Sequence, residues 1–280
     1  MKRTSLFVAA ILLAGTTSAM AQGVTRYVRY EHQGNVSYGV LEGDTIHELR
    51  GNVFERPQRT GDSVPMSQVR LLTPTAPKKV IAVGLNYRSH LGDRSQAAYP
   101  GLFAKFPTSL IPHDGVVTYY EDATDLHYEG EMVLIIGKTA TNVSETDAPD
   151  YIFAVAPGND ISERVWQNND LQWLRAKGAD TFGPVGPVMV RGVNYNDLLL
   201  QTRVNGEVKQ SQRTKDLIFG TAAIVSYVSR YVTLEAGDMI FTGTPGTTSA
   251  VQPGDVVEVE LEGVGVLSNT IGQRQSTDQQ

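Results

Sequence analysis

The sequence predicts an α+β fold in which strands dominate, on three observations. Near the N-terminus, RYVRYEHQGNVSYGVLEGDTIHEL alternates polar and apolar residues around two turn-forming clusters, the period-2 pattern of a small β-meander. Toward the C-terminus the Gly-Asp turn signal recurs at Gly237-Asp238 and Gly254-Asp255, each followed by an apolar or β-branched run. Between these ends only two segments carry helical spacing.

Taken in order, the first 21 residues combine a basic start (Lys2, Arg3), an apolar run from Leu6 to Ala14 and the small-residue end Ala19-Met20-Ala21. This is the pattern of a secretory signal peptide, and its apolar run is too short to span a bilayer. Cleavage before Gln22, export to the periplasm and no membrane attachment afterwards are therefore expected. Residues 22–76 form the expected small N-terminal β domain. Pro74 and Pro77 exclude regular elements in LLTPTAPKK and set a boundary near Pro77, with a second domain over 77–272 and a polar tail over 273–280. The first helix is expected in SERVWQNNDLQWLRAK, with Ser162 as N-cap, Val165, Leu171 and Leu174 near helical spacing, and Asn168-Asn169-Asp170 as an interruption. The second is expected from Thr214, with Ile218, Ala222, Val225 and Val228 about one turn apart.

Composition removes several function classes. Without Lys2 and Arg3 the chain has 22 basic against 30 acidic residues, a net charge of −8, and no cluster of Lys or Arg, so nucleic acid is not an expected partner. With no cysteine there is no disulfide framework, thiolate nucleophile or cysteine-based zinc site. No Gly-x-Ser-x-Gly elbow marks a serine hydrolase. TGTPG (Thr242–Gly246) lacks the Gly-Lys-Ser/Thr ending of a phosphate loop.

The informative stretch is LHYEGEMVLIIG, an apolar strand carrying Glu129 and Glu131. Alternation puts both acids on one face with Val133 and Ile135. Burying two unpaired carboxylates together would cost several kcal/mol, on the order of the penalty for each buried ion, unless positive charge or protons compensate. A third carboxylate, Asp160, ends the apolar run YIFAVAPGND. Three oxygen donors favour a hard cation, Mg²⁺ or Mn²⁺ or else Ca²⁺. Pairing of the glutamates with Arg164 and Lys177, or exposure on an edge strand, is the alternative.

The ordered set VIAVGLNYRSH, HYEGEMVLIIGK, NDISERVWQ, KGADTFGPVGP, VNGEVKQ and TLEAGDMIFTGTPG resembles the fumarylacetoacetate hydrolase family over Lys78–Ile271. The resemblance implies a rolled mixed β-sheet catalytic domain, sandwich- or barrel-like, usually a homodimer. It implies Mg²⁺ or Mn²⁺ on Glu129, Glu131 and Asp160, and a 2-oxo acid substrate with a second carbonyl. Lys177 would hold a substrate oxyanion or carboxylate, although Gly178 stands where the family has a serine. Arg164 and Gln167 fall in the NDxSxRxxQ pattern and Thr244 in the TGTPG turn, as substrate-binding residues. His90 would activate water, paired with Asp93, where some members carry a Glu; Glu121 and Asp122 are the next candidates for the base. The expected activity is metal-dependent C–C hydrolysis of an acylpyruvate-like acid. Isomerisation, tautomerisation or decarboxylation of diacids resembling 2-hydroxymuconate or oxaloacetate is the alternative, and a secreted metal- or ligand-binding β protein without turnover is the rival from another class.

Overall fold

The structure, a computed structural model, describes residues 23–275. The signal-peptide reading lies outside them. Eleven strands among the described residues join one mixed sheet. Its order is Gln58–Pro65, Thr45–Arg50, Asn35–Glu42, Thr25–His32, Met189–Arg191, Ile152–Asn159, Gly130–Ile136, Met239–Phe241, Val80–Gly84 and Gly101–Lys105, with Arg70–Leu71 paired to Thr25–His32. Five further strands form a second sheet, in which Val116–Tyr120 runs parallel to Gly265–Gln275. The β-dominated mixed architecture expected from the sequence is what the chain adopts.

The strand Gly130–Ile136 sits near the middle of the large sheet and is buried along its whole length. Its alternation is as read from the sequence: Met132, Leu134 and Ile136 enter one apolar cluster, Val133 and Ile135 another on the opposite face. A strand covered on both faces needs an unbroken apolar run, and each such side chain contributes roughly 1.5–3 kcal/mol on burial. Glu131 opens this strand, whereas Glu129 precedes it by one residue. The neighbouring strand Ile152–Asn159 delivers Asp160 beside them, in the register Gly130–Asn159 and Glu131–Gly158.

The N-terminal meander continues the large sheet, because Thr25, Arg26 and Tyr27 pair with Arg191, Val190 and Met189. The expected helices and tail need correction. Ser162 and Glu163 form a short strand, and the first helix α1 is Arg164–Asn169, capped by Glu163, whose carboxylate accepts from the Trp166 N–H at 2.6 Å. After a break at Asp170–Trp173 comes α2, Leu174–Gly178. Val165, Leu171 and Leu174 are exposed rather than a buried stripe, while Trp166, Ala176 and Lys177 turn inward. The second helical segment starts late: α3 is Thr221–Ser229, after Gly220, and leaves Ile218 outside. Gly220 and the β-branched residues before it oppose earlier nucleation. The expected tail from 273 is still strand through Gln275, since residues 274 and 275 pair with Tyr119 and Tyr120.

Candidate active site

Glu129, Glu131 and Asp160 converge at one end of the central strands. They are 4%, 2% and 0% exposed, and one ligand oxygen from each lies within 4.8 Å of the others, a metal-binding triad. Backbone pairing fixes them: the Asp160 N–H donates to the Glu129 carbonyl at 2.8 Å, and the Asn159 side chain accepts from the Glu129 N–H at 2.9 Å. Gly130, between the two glutamates, is required for close approach, because a Cβ there would lie 1.9 Å from the Thr202 hydroxyl.

The expected alternative of exposure on an edge strand is excluded by the burial of these acids, while that of pairing with Arg164 and Lys177 applies to Glu129. Glu129 is paired, receiving Lys177 Nζ at 2.6 Å and an Arg164 guanidinium nitrogen at 2.6 Å. Lys177 Nζ also donates to Asp160 at 2.8 Å. Burial opposes the Glu129 charge, but Lys177, Arg164 and His90 outweigh it and hold its carboxyl well below the usual range. Burial likewise opposes the Lys177 ammonium, yet Asp160 and Glu129 keep its pKa above the ordinary value. Among the described residues Glu131 has no cationic hydrogen-bond partner of this kind. Burial, Asp160 and Glu129 push its carboxyl well above the usual range, against the Gly243 N–H at 2.7 Å and the Lys177 charge. Three convergent carboxylates, one of them short of positive charge, fit a hard divalent cation.

A second buried ammonium was not anticipated from the sequence. Lys105 closes the strand Gly101–Lys105 with its side chain fully enclosed, 2.6 Å from Asp160, and it also donates to the Lys177 carbonyl. Burial pulls its pKa down despite Asp160.

The loop before His90 is clamped to the TGTPG turn. Asn86 donates to the Phe219 and Thr242 carbonyls at 3.0 and 2.8 Å and accepts from the Phe219 N–H at 2.8 Å. Gly243 has φ +107°, and a Cβ there would meet Asn86 Cβ at 2.6 Å, so only glycine lets this turn present its N–H to Glu131. The Ser89 hydroxyl accepts from the Gly246 N–H at 2.9 Å, and His90 Nδ1 lies 2.5 Å from the Gly246 carbonyl. A carbonyl only accepts, so Nδ1 carries a proton, and Nε2 lies 3.8 Å from Glu129. Asp93 does not pair with His90: it is exposed, and its side chain has no bonding partner among the described residues. Glu121 and Asp122 are also exposed and lie outside the cleft lining, Asp122 facing Arg175 at 3.3 Å.

Arg164 and Gln167 come together at 2.8 Å, on α1, and Arg164 also donates to the Thr248 hydroxyl at 2.8 Å. Behind them lies a chain that local sequence did not reveal. His127 faces Asp125 through Nε2 and Thr248 through Nδ1, both at 2.9 Å. Burial pulls the imidazole pKa down, against Asp125. With Nε2–H donated to Asp125, Nδ1 accepts from Thr248, leaving the Thr248 oxygen free to receive Arg164. The Thr244 hydroxyl is committed to the Gly130 carbonyl at 2.9 Å and accepts from Gln210 Nε2 at 2.8 Å. Its N–H has no partner among the described residues and remains available.

These groups line a cleft of about 500 Å³ that includes His90, Glu129, Glu131, Arg164, Lys177 and Thr244. Phe103 and Trp173, edge to face at 5.4 Å, form an apolar part of its wall. The arrangement joins a carboxylate triad able to hold a cation, an imidazole and a fixed ammonium, a combination suited to proton transfer beside a chelated carbonyl.

Residues 79–272 match the family model described as fumarylacetoacetate (FAA) hydrolase C-terminal, and residues 25–74 match that described as Rv2993c-like, N-terminal. The chain is 34% identical over 255 residues to the oxaloacetate tautomerase YisK of Bacillus subtilis, covering 83% of this chain and 85% of that protein. Among solved structures it is similar to 5-carboxymethyl-2-hydroxymuconate delta-isomerase from Mycobacterium smegmatis, with TM-score 0.85 and 37% identity over 89% of this chain and all of that one. It also resembles maleylpyruvate hydrolase from Sphingobium sp. SYK-6 in complex with manganese(II) and pyruvate, with TM-score 0.75, 27% identity and the same coverage.

Proposed function

The chain belongs to the fumarylacetoacetate hydrolase family, and from its site we propose a divalent-metal-dependent tautomerase of a 2-oxo dicarboxylic acid of the oxaloacetate class, served by Mg²⁺ or Mn²⁺. The observation that carries this reading is the setting of His90. Its Nδ1–H is tied to a neutral carbonyl, with no carboxylate behind it, and its Nε2 faces the cleft. An imidazole so placed is suited to shuttling one proton between carbon and oxygen.

Glu129, Glu131 and Asp160 would hold the cation, which when bound supplies Lewis acidity to a 2-oxo group and its carboxylate. His90 Nε2 takes the proton from C3 and returns it to the C2 oxygen, or the reverse. Lys177 stays charged: two of its three N–H groups are used on Glu129 and Asp160, and the third can face negative charge developing on the C2 oxygen. Arg164, held by Gln167 and Thr248, keeps Glu129 in place. The Thr244 N–H is free to receive the substrate carboxylate.

The similarity to maleylpyruvate hydrolase supports C–C hydrolysis as a second reading. A panel of enol-oxaloacetate, maleylpyruvate and an acylpyruvate, assayed with Mn²⁺ and with chelator, separates them. Chelator-sensitive acceleration of ketonisation is expected, and His90→Gln should lower its kcat by about 10²- to 10⁴-fold with Mn²⁺ affinity unchanged. Cleavage of the acylpyruvate with no effect on enol-oxaloacetate would overturn the tautomerase reading in favour of hydrolysis.

A further inference from the structure

The charged groups lining the cleft are Asp125, Glu129, Glu131, His90, Arg164, Lys177 and Arg94. All but the last are tied to protein partners: Asp125 to His127, Glu131 to Gly243, His90 to Gly246, and Glu129 to both Arg164 and Lys177. The Arg94 guanidinium has no hydrogen bond or ion pair among the described residues. It is an uncommitted, permanently charged fork at a site whose other charged groups each have an internal partner.

Its loop is pinned at both ends. Leu91 is buried, and the Arg94 N–H closes a turn on the Leu91 carbonyl at 3.1 Å. At the other end Pro100 is buried, and the Tyr99 ring stacks on Tyr227 of α3, with centroids 5.8 Å apart and planes 12° from parallel. Holding the loop reduces the ordering that Arg94 would undergo on engaging a ligand.

We propose that Arg94 receives the carboxylate remote from the 2-oxo group, and so selects dicarboxylic over monocarboxylic 2-oxo acids. The proposal rests on the 2-oxo acid reading and adds the residue that sets chain-end specificity. Arg164 is not available for this role, because its nitrogens already serve Gln167, Glu129 and Thr248. An Arg–carboxylate pair is planar and bidentate, so a diacid of the right length is distinguished by geometry as well as charge.

The test is calorimetric binding to the Mn²⁺-loaded protein, using 3,3-difluoro-oxaloacetate, which has no C3 proton to lose, and pyruvate, which lacks the distal carboxylate. A charge-assisted hydrogen bond corresponds to roughly a 10- to 100-fold change in affinity. Arg94→Gln should weaken the diacid by that factor and pyruvate by less than about threefold, with the ketonisation KM rising more than kcat falls. An equal loss for both ligands, or none for the diacid, overturns the role of Arg94 while leaving the tautomerase reading standing. If the wild-type protein binds neither ligand, the 2-oxo acid reading fails and the Arg94 proposal with it. Arg94 is exposed and its side chain has no partner among the described residues, so this variant tests specificity without removing a structural contact.

Discussion

Replacing Lys105 by Met removes a charge and keeps the length of the stem. In the native chain the Lys105 and Asp160 side chains are both 0% exposed and separated by 2.6 Å, and the ammonium also satisfies the Lys177 carbonyl. Deleting one member of such a pair leaves Asp160 with Lys177 as its remaining cation and orphans a buried acceptor, which costs up to about 3–5 kcal/mol. For a domain of this size about 2–4 °C of melting temperature corresponds to each kcal/mol, so Lys105→Met should melt up to roughly 6–20 °C below wild type in chelator. The loss should be smaller with Mn²⁺ present. A cation bound by Asp160 replaces part of the missing positive charge, and binding to the folded state alone raises stability by mass action. Circular-dichroism melts of both proteins, each with chelator and with saturating Mn²⁺, measure the four values. A chelator-treated variant melting within about 2 °C of wild type would refute the view that Lys105 neutralises Asp160.

Gly243→Ala places a side chain at φ +107° and against Asn86, so urea denaturation should show a loss of at least about 1–2 kcal/mol from the backbone alone; an unchanged midpoint would mean that the turn adapts freely. Asn86→Ala abandons the Phe219 N–H and two carbonyls, and about 1–3 kcal/mol per unsatisfied buried group is expected in the same assay; retention of wild-type stability would mean that water takes over these bonds. Glu235, bonded to Lys78 and Lys79 at 2.8 Å each, has a pKa lowered by those bonds from 4.5 to about 2. A pKa depressed on folding contributes stability above the unfolded value, so the advantage of wild type over Glu235→Gln should be full above about pH 4.5 and fade as pH falls toward 2. A difference independent of pH across that window would contradict the pairing.

The triad was legible because it depends on rules of short range. Strand alternation aims Glu131 with Val133 and Ile135, and an apolar run that stops at Asp160 announces a strand end. The clamp around it was not legible. His127 and Thr248 are 121 residues apart, as Arg164 and Thr248 are 84 apart, and no local period connects such pairs. Lys105 illustrates a weaker failure. In LFAKF the strand period sets Lys105 on the side of Phe103, a hint that this lysine departs from the usual exposed state. The expected His90–Asp93 dyad failed through backbone geometry: Arg88–His90 forms a single 3₁₀ turn, and Gly92 at φ +58° then redirects the chain. The helix boundaries were misplaced for a related reason, since tertiary pairing of Ser162 and Glu163 with His127 and Leu126 competes with helix formation at that point.

The junction between Thr25–Tyr27 and Met189–Arg191 makes the first strands custodians of solubility. Met189 and Val190 are buried in a three-residue strand, and stripped of its neighbour this strand would offer bare amide and carbonyl groups on an apolar ribbon, a template for polymerisation. In the complete sheet that boundary moves outward to Gln58–Pro65, which is exposed almost throughout, breaks register near His47, bends at Gly61 with φ +100° and ends in Pro65. A sticky inner margin is thereby exchanged for an outer one that other chains cannot readily extend.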